Sequence, residues 1–469
     1  MTTGMTIDPP APEAPAAPEA PEVANPGAAA DSAVAAILAA TVSPAPGGPR
    51  GVVVDSPPGA GKSTLVVRAA KELVAGGERL MIVAQTNGQV DDLVGRLAEK
   101  GPELTIGRLH ASDAKPGPEL AALANVTASS KVAELLEQDV VISTAAKWQW
   151  VKAEQPWRHA IVDEAYQMRS DALLAVAGLF ERALFVGDPG QLDPFTVVGT
   201  DQWAGLSYDP SSSAVVTLLA HNPAIRPHRL PVSWRLPYSA APLISQAFYP
   251  YTPFRSGTGP DDRRLTAATA GDGSALDAAV DEAAEHGWAL LELPARHTVR
   301  TDPQAVQATA AVVQRLLARG LTAHSEQGSA PLTPDRIAVG TAHRDQAAAV
   351  RAALVKLGVP VDHTAGPAVT VDTANRLQGR EYDVTVVLHP LSGRPDATAF
   401  HLETGRLCVL ASRHRHACIV VARAGIPELL DEHPSTEPVQ LGVTMKFPDG
   451  WEANHAVLAL LGEHRVRLR

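Results

Sequence analysis

The chain has 469 residues, of which 45% are hydrophobic, and a formal net charge of −11. This length allows two or three domains with sizeable cores. No apolar run reaches the length of a membrane span, and two cysteines, Cys408 and Cys418, are too few for a disulfide framework. We therefore expect a cytoplasmic protein with no membrane partner. The acidic balance argues against nucleic-acid binding, but such binding depends on a local basic groove rather than on total charge. The spacing of Cys and His residues predicts no metal site.

The start of the chain is rich in Pro, Ala and Glu and holds few bulky apolar side chains, which predicts a disordered tail over residues 1–30. A short helix is expected over 32–40. From residue 51 onward, short apolar strands alternate with helices in two successive series that meet near residue 231. This alternation predicts an α/β fold built on mostly parallel sheets.

The most informative motif is PPGAGKST at residues 57–64, which lies between an apolar run and a helix-like stretch. In this order, strand, glycine-rich loop and helix form a phosphate cradle in which loop N–H groups and the helix N-terminus face the anion. Lys62 is expected to reach the β- and γ-phosphates, and Ser63 to offer its hydroxyl to Mg²⁺. Ser56 stands where the usual pattern has its first glycine, so only the second half of the pattern matches. The motif predicts a nucleoside triphosphate site formed by Gly59, Ala60, Gly61, Lys62, Ser63 and Thr64.

Two adjacent acids, Asp163 and Glu164, end the apolar strand 160–162. Burying two carboxylates at a strand end is costly unless they serve an ion or a reaction. We expect Asp163 to hold Mg²⁺ through water, and Glu164 to orient and deprotonate the attacking water. The strand 183–186 likewise ends in a turn, and this turn carries Gln191, an amide able to sense the γ-phosphate.

Taken in chain order, these motifs resemble those of the superfamily 1 helicases, specifically the group B branch that includes the nonsense-mediated-decay RNA helicase. The resemblance covers about residues 51–425 and rests on the segments 59–63, 84–87, 143–144, 163–167, 187–192, 233–237, 371–373, 378–383 and 409–413. It implies two tandem RecA-like P-loop domains, over 31–230 and 231–425, with ATP and Mg²⁺ as ligands. Residues 426–469 are expected to form a C-terminal appendage.

The resemblance also implies roles for residues of the second half. Arg235 and Arg413 are similar to the two arginines that complete the nucleotide site when the domains close. Glu381 resembles the acidic residue near the nucleotide, and Gln378 and Gly379 lie in the same segment. A surface ion pair is the ordinary alternative for each arginine.

Contacts to a nucleic-acid strand are expected from short hydroxyls and amides, which give oriented donors without base selectivity. The positions that touch the strand backbone in the family correspond to Thr86, Asn87, Ser143, Thr144 and Thr373, and His343 is a further candidate because it follows a predicted strand. Each of these side chains could equally cap a helix. Trp148 and Trp150 are expected to lie in the core rather than to stack on bases.

Two departures from the family narrow the functional prediction. The glutamine that reads adenine has no counterpart upstream of the phosphate loop, and only residues 111–138 stand where relatives carry inserted subdomains. The leading hypothesis is an ATP-dependent helicase or translocase in which single-stranded DNA or RNA stimulates ATP hydrolysis, with 5′→3′ polarity implied by the resemblance alone. The alternative is a nucleotide-gated ATPase switch that recruits a protein partner, through the tail or residues 426–469, without unwinding. A small-molecule kinase would leave Arg235 and Arg413 without a purpose.

Overall fold

The computed structural model describes residues 25–43, 47–152, 154–194, 203, 209–434 and 448–468. These residues form two lobes, each built around a parallel sheet with helices packed against it. The predicted fold class, two tandem parallel-sheet domains of the RecA-like type, is confirmed. Residues 1–24 of the predicted tail lie outside the described residues. No described helix combines the length and the apolar character needed to cross a membrane.

Eight of the described strands form the parallel sheet of the first lobe. In chain order they are β1 (Gly51–Asp55), β2 (Leu80–Ala84), β3 (Ile106–Leu109), β4 (Val126–Ser129), β5 (Val140–Thr144), β6 (Trp157–Asp163), β7 (Phe180–Gly187) and β8 (His228–Arg229). Their order across the sheet is β4-β3-β5-β2-β6-β7-β1-β8. β2 and β5 are buried along their whole length, which is typical of a parallel sheet covered by helices on both faces.

The helices of the first lobe are α1 (Pro26–Val42), α2 (Lys62–Ala75), α3 (Asn87–Lys100), α4 (Pro118–Ala121), α5 (Ala145–Trp148), α6 (Ser170–Val176) and α7 (Ala214–His221). α1 is longer than the predicted helix over 32–40, and it includes the last residues of the predicted 1–30 tail. The side chain of Asn25 caps it by accepting the N–H of Gly27 at 2.9 Å, and a proline in the first turn favours this start. Apolar residues of α1 then pack into the core of the first lobe.

The strands of the second half are β9 (Val232–Ser233), β10 (Arg255–Ser256), β11 (Arg264–Thr266), β12 (Trp288–Leu293), β13 (Thr322–Ser325), β14 (Gly328–Pro331), β15 (Ile337–Thr341), β16 (Thr370–Thr373), β17 (Tyr382–Leu388), β18 (His414–Arg423) and β19 (Arg465–Arg467). Six of them form a parallel sheet in the order β16-β15-β17-β18-β12-β19. β11, β13 and β14 form a small antiparallel sheet, and β9 pairs with β10.

The helices of the second half are α8 (Ala241–Phe248), α9 (Ala275–His286), α10 (Pro303–Ala318), α11 (Arg344–Lys356), α12 (Ala374–Leu377), α13 (Ala399–Leu402), α14 (Thr404–Ala411), α15 (Ile426–Glu432) and α16 (Gly450–Leu461). Their apolar sides cover the two faces of the second sheet and form two cores.

The described residues of the predicted appendage, 426–469, lie within the second lobe. β19 pairs in parallel with β12, with Arg465 opposite Leu290. α15 and α16 contribute Leu430 and Leu461, both fully buried, to the core that α8 and α14 also line. A three-residue strand that pairs with a distant part of the chain leaves little periodic pattern to find in the sequence.

Candidate nucleotide-binding cleft

A cleft of about 890 Å³ lies between the two lobes. β6, β7 and β1 are neighbours in the first sheet, so the loops that follow these parallel strands meet at one edge. Those loops carry the phosphate loop, the two acids and Gln191, and the second lobe lines the other side with Arg235, residues 378–381 and Arg413. Open parallel sheets bind ligands at this edge, beyond the carboxyl ends of the strands.

The phosphate loop has the backbone shape that its glycines permit. Gly59 and Gly61 have φ angles of +72° and +88°, in the left-handed region that favours glycine. A Cβ at Gly59 would also collide with Arg235. Among the described residues only Glu164 combines a side chain with a positive φ, so Ser56 has an ordinary backbone conformation that tolerates the lost glycine. The predicted phosphate-binding residues all line the cleft, namely Gly59, Ala60, Gly61, Lys62, Ser63 and Thr64.

Lys62, the first residue of α2, forms an ion pair with Glu164 across the cleft. Burial acts to lower the pKa of Lys62, but the charges of Glu164 and Asp163 outweigh it and raise that pKa. Gln167 donates a second hydrogen bond to Glu164, at 3.1 Å. Glu164 itself is held at a φ of +50°, an uncommon backbone conformation for a residue with a side chain and one found at functional sites. Lys62 of the phosphate loop and Glu164, the predicted general base, therefore contact each other in the cleft.

Asp163 has the features expected of a magnesium ligand. Burial raises its pKa to about 6, against the opposing charge of Lys62. Its Oδ1 atom is buried and has no hydrogen-bond partner among the described residues. Ser63, in the first turn of α2, lines the same cleft. A hydroxyl and an unpartnered carboxylate oxygen are the hard oxygen ligands that Mg²⁺ prefers, so the residues fit this ion.

Gln191 connects the two lobes. Its carbonyl oxygen accepts a hydrogen bond from Gln378 of the second lobe at 2.7 Å, and its amide nitrogen donates to Asp188. Asp188 in turn accepts from the hydroxyl of Tyr249 at 2.6 Å and from the N–H of Gly190 at 3.0 Å. The loop that carries Gln191 is thus fixed by residues from both lobes.

Arg235 and Arg413 lie close together at the cleft. Each has an NH1 atom that is buried and has no hydrogen-bond partner within the described ranges. Arg413 is only 1% exposed, and burial, followed by the charge of Arg235, lowers its pKa to about 10. Arg235 donates through Nε to Glu381 at 3.1 Å. Two neighbouring guanidinium groups with unused donors are costly to bury unless an anion binds between them.

The segment 378–381 lines the cleft from the second lobe. Gly379 has a φ of +80°, so this turn needs glycine. Glu381 pairs with Arg235 and lies 3.5 Å from a guanidinium nitrogen of Arg415. Burial acts to raise the pKa of Glu381, but Arg235 outweighs it and the pKa is lowered. The carboxylate therefore stays charged and orients Arg235.

Two of the predicted strand contacts are exposed at the start of α3. Thr86 caps this helix by accepting the N–H of Gln89 at 3.2 Å, and it lines the nucleotide cleft. The side-chain oxygen of Asn87 accepts from Arg108 at 3.0 Å. In this conformation Thr86 is therefore a helix cap, which is the alternative that the sequence left open.

Ser143, a predicted strand contact, is fully buried in this structure. Its hydroxyl donates to the carbonyl of Leu109 at 2.6 Å, and strand contact by this residue stays a prediction. Thr144 is buried too and caps α5 by accepting the N–H of Lys147 at 3.2 Å. Both residues lie where β5 ends, and packing there turns their hydroxyls toward the protein.

The second-lobe candidates are also engaged within the protein. Thr373 is buried just before α12. The ring of His343 stacks on Phe400, with 4.8 Å between centroids, and its Nε2 lies 3.1 Å from Nε2 of His401. Strand contact by these residues stays a prediction.

The two tryptophans after β5 have different environments. Trp148 is fully buried, as predicted, and donates to the carbonyl of Ile82 at 2.9 Å. Trp150 is 78% exposed, so the prediction that it belongs to the core is wrong. It lies beyond the last residue of α5, where the chain leaves the sheet.

Sequence reasoning missed two aromatic residues near the cleft. Tyr249, the residue directly after α8, donates a hydrogen bond to Asp188. No local sequence pattern indicates this role of Tyr249. Trp234 is 42% exposed, and its backbone N–H donates to the carbonyl of Gly59 at 2.9 Å, which places it beside the phosphate loop. Its position directly before Arg235 was the one available signal.

Comparison with known families gives one match, an AAA domain (AAA_12) over residues 289–425. This segment holds most of the second sheet and the arginine-bearing segment that ends at Arg413. The matched segment is less than a third of the chain. No curated protein matches the sequence of this chain.

Solved structures with a similar fold include viral helicases. The PRRSV helicase shares 16% identity at a TM-score of 0.42, and the match covers 84% of this chain and 54% of the PRRSV helicase chain. The arterivirus nonstructural protein 10 (helicase) shares 13% identity at a TM-score of 0.39, and the match covers 84% of this chain and 61% of the arterivirus chain. The structure of the arterivirus protein in complex with DNA shares 13% identity at a TM-score of 0.38, and the match covers 85% of this chain and 63% of the arterivirus chain. This chain thus spans less than two thirds of the length of each of these helicases.

Proposed function

We propose that this chain is an ATP-dependent helicase or translocase of the superfamily 1 type, in which single-stranded DNA or RNA stimulates ATP hydrolysis. The observation that carries the proposal is the pair of arginines, Arg235 and Arg413, whose NH1 atoms are buried without a hydrogen-bond partner among the described residues. They come from the second lobe and line the same cleft as Lys62 with unused donors. A P-loop ATPase of this kind works mainly by positioning the triphosphate and neutralising the charge on the transferred phosphoryl group.

Triphosphate binding starts from the ion pair between Lys62 and Glu164. The β- and γ-phosphates compete for Lys62, so their arrival frees the Glu164 carboxylate. Glu164 then orients the attacking water and accepts its proton, supported by the hydrogen bond from Gln167. The proposed general base, Glu164, thereby stays paired with Lys62 until a phosphate takes its place at the lysine.

Ser63 and Asp163 are the residues that would hold Mg²⁺ in this site. When bound, the ion supplies positive charge to the phosphate oxygens. Arg235 and Arg413 contribute further charge from the second lobe, so full stabilisation requires both lobes to face the nucleotide. Hydrolysis and release then weaken the contact between lobes.

Movement along a strand follows from that change in contact. Gln191 joins the phosphate side of the cleft to Gln378 of the second lobe. A change at the γ-phosphate therefore reaches the second lobe directly. Repeated closing and opening of the lobes on a bound strand gives one step for each ATP.

The indole of Trp234 is proposed as a stacking surface for the nucleotide base, because Trp234 is 42% exposed and its backbone N–H donates to the carbonyl of Gly59 in the phosphate loop. Stacking on an aromatic ring tolerates any base, which agrees with the lack of an adenine-reading glutamine upstream of the loop. Trp234→Ala is expected to raise KM for ATP, with kcat little changed, whereas Trp234→Tyr keeps the wild-type KM. Equal KM values for all three proteins would remove this role.

ATP turnover with and without single-stranded DNA and RNA tests the proposed function. We expect strong stimulation by at least one type of strand. Glu164→Gln should lower kcat by about 10²–10⁴-fold while ATP binding persists. Lys62→Ala should weaken both binding and turnover, because the phosphates lose their cation.

Three outcomes would contradict the proposal. Turnover that no strand stimulates supports the nucleotide-gated switch, and turnover that requires a metabolite supports a kinase. Normal kcat in the Glu164→Gln variant would remove the assigned general base.

A further inference from the structure

Three ligand-type side chains meet on the surface of the second lobe, away from the nucleotide cleft. Glu282 and His286 lie one turn apart on α9, and His464 lies just before β19. Nδ1 of His464 is 2.8 Å from Oε1 of Glu282, and Nε2 of His286 is 3.6 Å from the same oxygen. All three ligand atoms lie within 4.8 Å of one another, so small side-chain rotations bring them around one ion.

The chemistry of the cluster suits a transition metal. Two imidazoles and one carboxylate form a ligand set that Zn²⁺ accepts, whereas Mg²⁺ and Ca²⁺ prefer oxygen ligands alone. The two imidazole rings lie 4.9 Å apart with planes inclined by 31°, so they can approach one ion side by side. Glu285, 3.9 Å from His286, or a water molecule can complete four-coordination.

We propose that Glu282, His286 and His464 bind a divalent transition-metal ion of the zinc class. His286 is exposed to solvent, so the ion has direct access. It is also the last residue of α9 before Gly287, where the negative end of the helix dipole favours a cation. Ion pairs between protonated histidines and Glu282 are the alternative arrangement.

A bound ion ties the end of the described chain to the second lobe. β19 has three residues and pairs only with β12 among the described strands. A metal bridge from His464 to α9 adds a link beside this short strand. We therefore expect bound Zn²⁺ to raise the thermal stability of the full chain and to slow amide hydrogen exchange at residues 465–467.

Calorimetric titration of the metal-free full chain with Zn²⁺ tests the proposal. Excess Mg²⁺ is present so that the carboxylates of the nucleotide cleft do not compete for Zn²⁺. Wild type should bind one equivalent that His286→Gln and His464→Gln each weaken by about tenfold or more. His221→Gln, which changes an exposed histidine on the first lobe, is the matched control and should bind as wild type. Co²⁺ should give the visible absorption of a four-coordinate site in wild type and lose it in both variants.

The proposal is overturned if wild type binds no Zn²⁺, or if both variants keep the stoichiometry and affinity of the His221→Gln control. Because His286 is exposed, its substitution leaves the fold intact and separates ligand loss from unfolding. If the rate of amide hydrogen exchange at residues 465–467 is the same with and without Zn²⁺, the predicted link to the end of the described chain is overturned.

Discussion

The unpaired nitrogens of Arg235 and Arg413 are the most informative single-atom features of the structure. Each is a buried donor with no partner among the described residues, beside another positive charge. We propose that the oxygens of a γ-phosphate supply the missing acceptors. In that proposal the two arginines have an electrostatic role.

Replacing either arginine with alanine should abolish most ATP turnover. Because an arginine from a second domain is worth about 10³-fold or more in rate, we expect a fall in kcat of this order with Lys62-dependent ATP binding retained. Steady-state kinetics and nucleotide-binding titration measure the two effects separately. Arg296→Ala, on the exposed surface of the second lobe, is the control. Variants that keep wild-type kcat would contradict the assigned roles.

The buried histidine His389 is expected to make the stability of the fold depend on pH. Burial lowers its pKa to about 4, and its Nδ1 accepts the N–H of Leu391 at 3.2 Å. Above its ordinary pKa of about 6.5 both states are neutral, so it has no effect on stability there. Between about 6.5 and 4 the unfolded chain binds a proton that the folded chain does not. As the pH is lowered through this window, the free energy of unfolding therefore falls by about 1.4 kcal/mol for each pH unit.

His389→Asn should remove that part of the acid sensitivity while keeping an acceptor for Leu391. Urea unfolding at several pH values measures the slope, and His221→Asn is the matched control. An unchanged slope in His389→Asn would mean that the histidine is already protonated when folded.

Among the strands and helices, α8 has an unexpected part in the cleft. Tyr249, directly after α8, donates to Asp188 in the loop that carries Gln191. A Cβ at Gly190 would clash with the tyrosine ring, so the loop and the ring are closely fitted. The end of α8 thus holds the loop that carries Gln191 from the second lobe.

Tyr249→Phe removes one hydrogen bond to Asp188 without changing the shape of the side chain. Because a hydrogen bond to a charged group is worth about 1.5–3 kcal/mol, we expect kcat to fall roughly tenfold or more with the Kd for ATP unchanged. Tyr251→Phe, on the nearby surface, controls for the substitution itself. A variant that loses thermal stability but keeps kcat would show that the tyrosine has a structural role only.

The sequence predicted those features that depend on short, local patterns. The phosphate loop and the acids after β6 are contiguous segments, and their order fixed the fold class. The burial of Ser143 could not be predicted, because a hydroxyl at a strand end can face either the core or solvent, and only packing decides. Tyr249 and His464 act on residues distant in the chain, so no spacing marks them. The extent of α1 could have been found, because Asn25 followed by proline is a helix start signal.

The two lobes together form the cleft, and several contacts already join them at its base. The hydroxyl of Ser233 donates to the carbonyl of Pro58 at 2.6 Å, and Gln378 donates to Gln191. These contacts hold the arginine-bearing lobe against the phosphate loop. Closure therefore requires small movements rather than the docking of two separate bodies.

The most direct test of this account is a crystal structure with ADP, Mg²⁺ and an aluminium fluoride mimic of the transferred phosphoryl group. We predict that NH1 of Arg235 and of Arg413 lies within about 3 Å of the mimic. Lys62 should have left Glu164 for the phosphates. A mimic bound by the phosphate loop while both arginines remain out of contact would contradict the central claim.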